Sequence, residues 1–149
     1  MKGVSRVEQI PIQVHMTTEI NDDENRHERI VVKANGTLVE KNETVYIRYT
    51  EEVAEMGEVR NTIKVKDDEV MIIRQGAIAM KQRFKSGKQT ESIYKSRYGA
   101  MEMKADTEAV AYTWYNQEKV RKLVFSYLLQ LQGEDVGHYL VTLKIKEDL

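Results

Sequence analysis

Apolar and polar residues alternate with a period of two over most of this chain, and no other feature limits the possible folds as strongly. In the segment IPIQVHM (10–16), apolar side chains fall on the even positions, and Gln13 and His15 fall on odd ones. Successive side chains of a strand point to opposite faces, so the pattern is typical of a strand that buries one face. Further segments that favour strands are 27–40, 44–50, 59–66, 70–75, 78–84, 89–105 and 139–146.

Short polar turns separate these segments, as expected for a meandering all-β sandwich or barrel. Asn35-Gly36 tolerates positive φ, and we interpret it as a bulge or bend inside one long strand rather than a tight hairpin. The segment KVRKLVFSYLLQLQG (119–133) fits both a helical stripe and a strand face. The segment 139–146 is plainly strand-like, and a hairpin between the two favours the strand.

Composition limits the class of protein. The chain has 149 residues, 41% of them hydrophobic and 32% charged, which is typical of one folded soluble domain spanning 1–149. Its formal net charge of -1 offers no overall field for nucleic acid or an anionic membrane, so we expect neither partner. Cysteine is absent, and the start of the chain lacks a continuous apolar signal region. We therefore expect a protein of the reducing cytoplasm.

No motif predicts catalysis or a cofactor. The three histidines, His15, His27 and His138, share no metal-ligand spacing. Glu51 and Glu52 are adjacent on a predicted strand and would face opposite ways, so they cannot flank one substrate. We expect no catalytic residue, no metal and no cofactor.

Two loops invite ligand-binding interpretations that their residues do not support. KSGK (85–88) lacks the glycine and the hydroxyl residue of a phosphate loop, because Gln82 and Gln89 occupy those places, so a hairpin tip is expected. NDDEN (21–25) does not begin a complete calcium loop, because Arg26 stands where an EF-hand needs glycine. A solvated turn explains its carboxylates.

Arg74 is the residue whose environment is hardest to explain. It shares a predicted strand face with Val70 and Ile72, so it would point into the core, where a charge is costly unless it is paired. Glu51 and Tyr49 share a face of another strand and are the candidate partners. Either Arg74 forms a structural pair that closes one end of the fold, or it binds the acidic group of a ligand.

The order of landmarks along the chain resembles the YwiB-like family of small uncharacterised bacterial proteins. The resemblance runs from about Ile10 to Ile145 and is carried by GTLVEKNETVYIRYTEE (36–52), RQGAIAMKQRFKSGKQTESIYKSRYGAMEM (74–103) and the YLVTLKIK ending (139–146). The most specific residues are Tyr49, Glu51, Arg74, Gly76, Phe84, Tyr94 and Gly99.

The resemblance implies an antiparallel, up-and-down, calycin-like β-barrel of about 8 to 10 strands in a bacterial cytoplasm, akin to lipocalins and fatty-acid-binding proteins. The resemblance implies that the segment 119–133 is a strand rather than a helix. It implies no activity, because fold does not determine function. The GxW motif of typical lipocalin first strands is absent, since the single Trp is Trp114.

Two functions follow as hypotheses. In the first, the barrel is not an enzyme and binds a small amphipathic or acidic molecule, with the site formed by Tyr49, Glu51, Arg74, Met80, Gln82, Phe84 and Tyr94. In the second, the barrel is solid and acts as a structural or interaction module, for example as a homodimer. Val110, Tyr112 and Trp114 share a strand face that would supply its apolar patch.

Overall fold

The chain folds into ten consecutive β-strands in a computed structural model that describes residues 8–148. The strands are β1 (Ile10–Asn21), β2 (His27–Lys41), β3 (Thr44–Val53), β4 (Gly57–Lys66), β5 (Glu69–Gly76), β6 (Met80–Lys85), β7 (Gln89–Ser96), β8 (Gly99–Tyr115), β9 (Val120–Leu131) and β10 (Glu134–Glu147). All laterally paired strands are antiparallel, which confirms the predicted all-β class. The predicted domain spans 1–149, and residues 1–7 and 149 of it lie outside the described residues, as does most of the segment on which the expectation about a signal region rests.

The strands form one sheet that curls into a nearly closed up-and-down barrel. Its order is β6-β5-β4-β3-β2-β1-β10-β9-β8-β7, so every pair of neighbours except β1 and β10 is also consecutive in sequence. The two ends of this order, β6 and β7, are themselves joined by a turn and meet through one backbone bridge between Ala79 and Lys95. The two edges of the sheet therefore meet at this bridge.

The uncertain segments are resolved as strands. Residues 120–131 form β9, which pairs with β10 as the predicted hairpin. Asn35 and Gly36 lie inside β2, which continues without a hairpin from His27 to Lys41. Gly36 is required there because a Cβ atom would collide with the carbonyl oxygen of Arg48 on β3.

Unequal strand lengths leave a gap in the barrel wall. β3 to β6 contain 6 to 10 residues, whereas β1, β2, β8, β9 and β10 contain 12 to 17. Pairing of β2 with β3 stops at Gly36 and Tyr49, so residues 27–35 of β2 pair only with β1 among the described strands. The wall is open between this part of β2 and the end of β3.

The opposite half of the barrel is filled by apolar side chains. They come from the inward positions of seven strands: Ile12, Val14, Leu38, Val45, Ile47, Ile63, Val65, Val70, Leu123, Leu143 and Ile145. Each is at most 6% exposed, as expected for a strand face turned into a core. Phe84 and Phe125 belong to the same buried cluster, and their ring centroids are 4.9 Å apart.

Gly76 allows the sharp change of direction between β5 and β6. Its φ is +113°, and a Cβ atom there would lie 2.5 Å from the carbonyl oxygen of Glu58. We expect Gly76→Ala to lower the free energy of unfolding by about 1 to 3 kcal/mol, because both the backbone angle and the contact become unfavourable. Gly99→Ala is the matched control, since its φ is +119° but no atom lies within 4 Å of the added methyl group. Urea unfolding of the two variants should show the larger loss for Gly76→Ala, and equal losses would contradict the role of the contact.

Candidate functional site

A cavity of about 290 Å³ lies inside the barrel, partly lined by buried core residues such as Phe84, Phe125 and Tyr127. Side chains from all ten strands line it. Six of the seven predicted site residues are among them: Tyr49, Glu51, Arg74, Met80, Phe84 and Tyr94. The alternation pattern thus placed these side chains correctly on the inner face of the barrel.

Arg74 is paired with Glu51 in the wall of this cavity. The Arg74 Nη2 donates a hydrogen bond of 3.0 Å to Glu51 Oε1, and the Arg74 Nε donates one of 3.1 Å to Asn61 Oδ1. The Asn61 amide nitrogen donates to the same Glu51 oxygen at 2.9 Å. These three residues, which we name the Arg74 cluster, come from neighbouring strands β3, β4 and β5.

The Arg74 cluster is balanced in charge and keeps unused hydrogen-bonding capacity. The Arg74 and Glu51 side chains are 21% and 20% exposed, so water or a ligand can reach both. Arginine has five N–H donors, of which two are used in bonds to described residues. The second carboxylate oxygen of Glu51 accepts no hydrogen bond from them. The cluster can therefore both donate to and accept from a polar group.

Asn61 was missed by sequence reasoning although the signal was present. It falls on the apolar face of VRNTIKVK, between Val59 and Ile63, and is 3% exposed. A polar residue on a buried strand face needs a hydrogen-bond partner. The same argument that identified Arg74 applies to it.

Apolar and aromatic side chains form the rest of the cavity wall. Ile72, Met16 and Val141 lie on it, and Tyr127 and Tyr139 stack with their ring centroids 5.2 Å apart. Burial raises the pKa of Tyr127 and, together with the Glu51 carboxylate, that of Tyr49. Both phenols stay protonated and neutral, so among the described residues that line the wall only Glu51 and Arg74 are charged.

Gln82 points inward but does not line the cavity. Its amide nitrogen donates 2.9 Å hydrogen bonds to the Arg83 carbonyl and to Thr90 Oγ1, and its amide oxygen accepts one from Ser92 Oγ. Thr90 and Ser92 lie on β7, so these bonds join β6 to β7 where the backbone ladder is missing. Gln82 closes the barrel, and the structure does not bring it to the predicted site.

A second inward arginine, Arg121, lies at the opposite end of the barrel. Its side chain is 7% exposed, lies 2.6 Å from Glu40 and 3.6 Å from Glu147, and does not line the cavity. Its guanidinium is 4.3 Å from the ring centroid of Trp114 and donates a 3.0 Å hydrogen bond to the Tyr112 hydroxyl. Arg121 and these four partners close the filled end of the barrel.

The predicted apolar patch on β8 is half-buried. Val110 and Tyr112 pack against the core, and the Arg121 guanidinium lies over the Trp114 ring. The three side chains thus share the inner face of β8, beyond the part of this strand that pairs with β7.

The remaining motifs form turns and surface contacts. Asp22 accepts hydrogen bonds from the backbone of Arg26 and Glu24, and these bonds lower the pKa of its carboxyl group. At the KSGK tip, the Gly87 backbone nitrogen donates to the Thr107 carbonyl at 2.9 Å. Within residues 8–148, no three His, Asp or Glu side chains are close enough to share a metal ion. No helix in this part of the chain is long and apolar enough to cross a membrane.

Comparison with known proteins establishes the family. The family model described as a domain of unknown function, DUF1934, matches residues 14–143. The chain belongs to the DUF1934 family. The uncharacterised β-barrel protein YwiB of Bacillus subtilis, strain 168, is 36% identical over 103 residues, which are 69% of this chain and 71% of YwiB.

The fold of this DUF1934 protein is shared with the crystal structure of the ywiB protein from Bacillus subtilis. That structure matches with a TM-score of 0.84 at 29% identity and covers 96% of each chain. The resemblance to the YwiB-like family that the sequence predicted is thereby confirmed. The relative is described as uncharacterised, so the match supports the fold of this chain but assigns it no activity.

The coupling of Arg74 to Glu51 can be measured by a double-mutant cycle. Arg74→Met leaves the Glu51 carboxylate partly buried without its cation, and we expect a loss of about 2 kcal/mol in the free energy of unfolding. Adding Glu51→Gln should restore about 1 kcal/mol of this loss, because the stranded charge is removed. Urea unfolding of the single and double variants measures both values.

The control for this cycle is the surface pair of Arg83 and Glu69, whose side chains are 51% and 31% exposed. Arg83→Met should cost less than about 1 kcal/mol, because water replaces the lost partner. If Arg74→Met costs no more than Arg83→Met, the Arg74 cluster does not stabilise the barrel.

Proposed function

We propose that this DUF1934 protein is a non-enzymatic, calycin-like barrel of the cytoplasm that binds a small amphipathic molecule in its cavity. The observation that carries the proposal is the cavity inside the barrel, whose apolar walls surround the Arg74 cluster. Ligand sites are commonly apolar pockets with a few convergent polar groups, and the mouths of β-barrels are a frequent place for them. The gap between β2 and β3 supplies an entrance.

The volume of the cavity limits the size of the ligand. Its 290 Å³ is near the lower limit of known ligand pockets and equals the liquid volume of about ten water molecules. A molecule with about ten non-hydrogen atoms would fill it. Long-chain fatty acids are too large to be enclosed.

The Arg74 cluster favours a ligand with a neutral polar end. The charge of Arg74 is already balanced by Glu51 at 3.0 Å, so an acidic ligand would have to approach the Glu51 carboxylate as well. A hydroxyl or amide group can accept from a free N–H of Arg74 and donate to Glu51. We therefore propose an alcohol or amide rather than an acid as the preferred ligand class.

Octan-1-ol and octanoate form a matched pair of probes for this proposal. We expect octan-1-ol to bind with a Kd of about 0.1 mM and octanoate more weakly. Methionine methyl groups report the location, because Met16, Met80 and Met103 line the cavity whereas Met56 and Met71 do not. In NMR spectra of methyl-labelled protein, only the first three should shift on titration. Shifts confined to Met56 and Met71, or no shifts, would contradict the proposal.

Two variants test the site itself. Ile72→Trp fills the cavity and should abolish binding, whereas Ile73→Trp places the same side chain on the outer face of the same strand and should not. Glu51→Gln removes the competing carboxylate, and we expect it to strengthen octanoate binding about tenfold without a similar gain for octan-1-ol. Equal effects on both probes would exclude the cluster as the site of the polar end.

A second candidate function, a homodimeric interaction module, is favoured by the free edge of β2. Residues 27–35 have no second strand partner among the described residues, and Ile30 and Val31 are each 45% exposed. An unpaired strand edge is a template for pairing with another strand, and Ile30 and Val31 supply exposed apolar side chains at this one. A second copy of the chain would join edge to edge.

Sedimentation velocity tests this homodimer. The unmodified protein at about 0.1 mM should sediment as a dimer. The Val31→Lys variant should sediment as a monomer, because an added charge on the edge opposes strand pairing. Ile93→Lys is the control, since Ile93 is 50% exposed on β7 and away from this edge. A monomer at every concentration would contradict the module, while leaving the ligand-binding proposal intact.

A further inference from the structure

The outer face of the barrel carries a row of basic side chains across four adjacent strands. Lys33 on β2 is directly opposite His15 on β1, His15 is opposite Lys144 on β10, and Lys144 is opposite Lys122 on β9. Adjacent strands are about 4.8 Å apart, so the row spans about 14 Å. Lys146 lies two positions beyond Lys144 and adds a fifth basic side chain. We name these five residues the basic row.

The row contains one pair of lysines, Lys144 and Lys122, that are directly opposite each other. Like charges in that arrangement are destabilising unless something neutralises them. None of the five side chains forms a salt bridge with a described residue. The positive charge of the basic row is therefore left uncompensated.

Few carboxylates lie near the basic row. The outward positions of β2 and β9 hold none, because Glu28 and Glu40 of β2 fall on its inner face. The nearest acidic residues along the other two strands are Asp148, two positions beyond Lys146, and Glu19, four positions beyond His15. They limit the positive surface at its two ends and leave its centre uncompensated.

A groove of about 560 Å³ runs beside the basic row. His15, Lys33, Lys144 and Lys146 line it together with Gln13 and Asn35, whose amide groups can donate hydrogen bonds. Gln13 is directly opposite both Asn35 and Lys146, so the amides form a second row parallel to the first. The groove thus presents cations and neutral donors along one direction.

We propose that this groove binds a short chain of phosphates, as found in inorganic polyphosphate or in the triphosphate of a nucleotide. A single phosphate could contact only two neighbouring side chains of a row about 14 Å long, whereas linked phosphates place one negative charge after another along it. The net charge of -1 and the flanking carboxylates disfavour a long nucleic acid, which would extend beyond the row. The site is on the outside of the barrel and is independent of the cavity ligand.

Isothermal titration calorimetry with inorganic tripolyphosphate tests the site in about 50 mM NaCl. We expect a Kd of about 10 µM that weakens when salt is raised to about 200 mM, because exposed charges are screened. The double variant Lys33→Gln and Lys144→Gln should weaken binding at least tenfold. A matched control, Lys81→Gln and Lys95→Gln, removes two lysines from β6 and β7 on the other side of the barrel and should leave the Kd unchanged.

The other outcomes are equally decisive. Equal losses in the two double variants would show only nonspecific attraction and would overturn the proposal. Orthophosphate binding as tightly as tripolyphosphate would exclude a site for linked phosphates. Tight binding of a 15-residue oligothymidylate with none of tripolyphosphate would replace the proposal by a nucleic-acid surface.

A comparison of ATP with tripolyphosphate then identifies the source of the phosphates. Tyr115 is opposite Val120 at the edge of the groove and is 45% exposed, so an adenine ring could stack on it. Tighter binding of ATP that is lost in Tyr115→Ala supports a nucleotide. Equal or weaker binding of ATP supports inorganic polyphosphate.

Discussion

The structure depends on closure of the sheet between β6 and β7. A meander of ten antiparallel strands that failed to close would expose two long edges, and most backbone groups along them would need other partners. Here one backbone bridge, Ala79 to Lys95, and the fully buried amide of Gln82 join the two edges. Side-chain bonds thus replace the ladder that backbone groups supply between the other neighbouring strands. The inner layer can pack because this seam joins the two edges of the sheet, β6 and β7.

The two ends of the barrel differ in how completely side chains fill the interior. At one end, apolar side chains fill the interior and Arg121 covers the Trp114 ring, so little space remains. At the other end, β3 separates from β2 after Tyr49. No described strand lies beside residues 27–35 of β2 on that side, so no side chains fill the interior next to them. The cavity is therefore a consequence of strand length, and the Arg74 cluster is its most polar part.

Much of the fold and part of the site could be predicted from the sequence. Alternation assigns an inner face to each strand, which is why Glu51 and Arg74, far apart in the chain, were expected to meet. Arg121 was missed because its segment fits a helix and a strand equally well, and no inner face can be assigned until that choice is made. The basic row was missed for another reason. Its residues lie on four strands, and only the register of pairing aligns positions 15, 33, 122 and 144.

The role of Gln82 shows where pattern alone reaches its limit. Its position on an inner face next to Met80 and Phe84 is the same pattern that placed those two residues in the cavity wall. What separates them is the neighbouring strand, since Thr90 and Ser92 present hydroxyl groups to Gln82. A buried amide is stable only when both of its ends are bonded, and these hydroxyls and the Arg83 carbonyl satisfy both. A polar residue on an inner face is thus free to meet a ligand only when the strands around it leave it unpaired, as they leave part of Arg74 and Glu51.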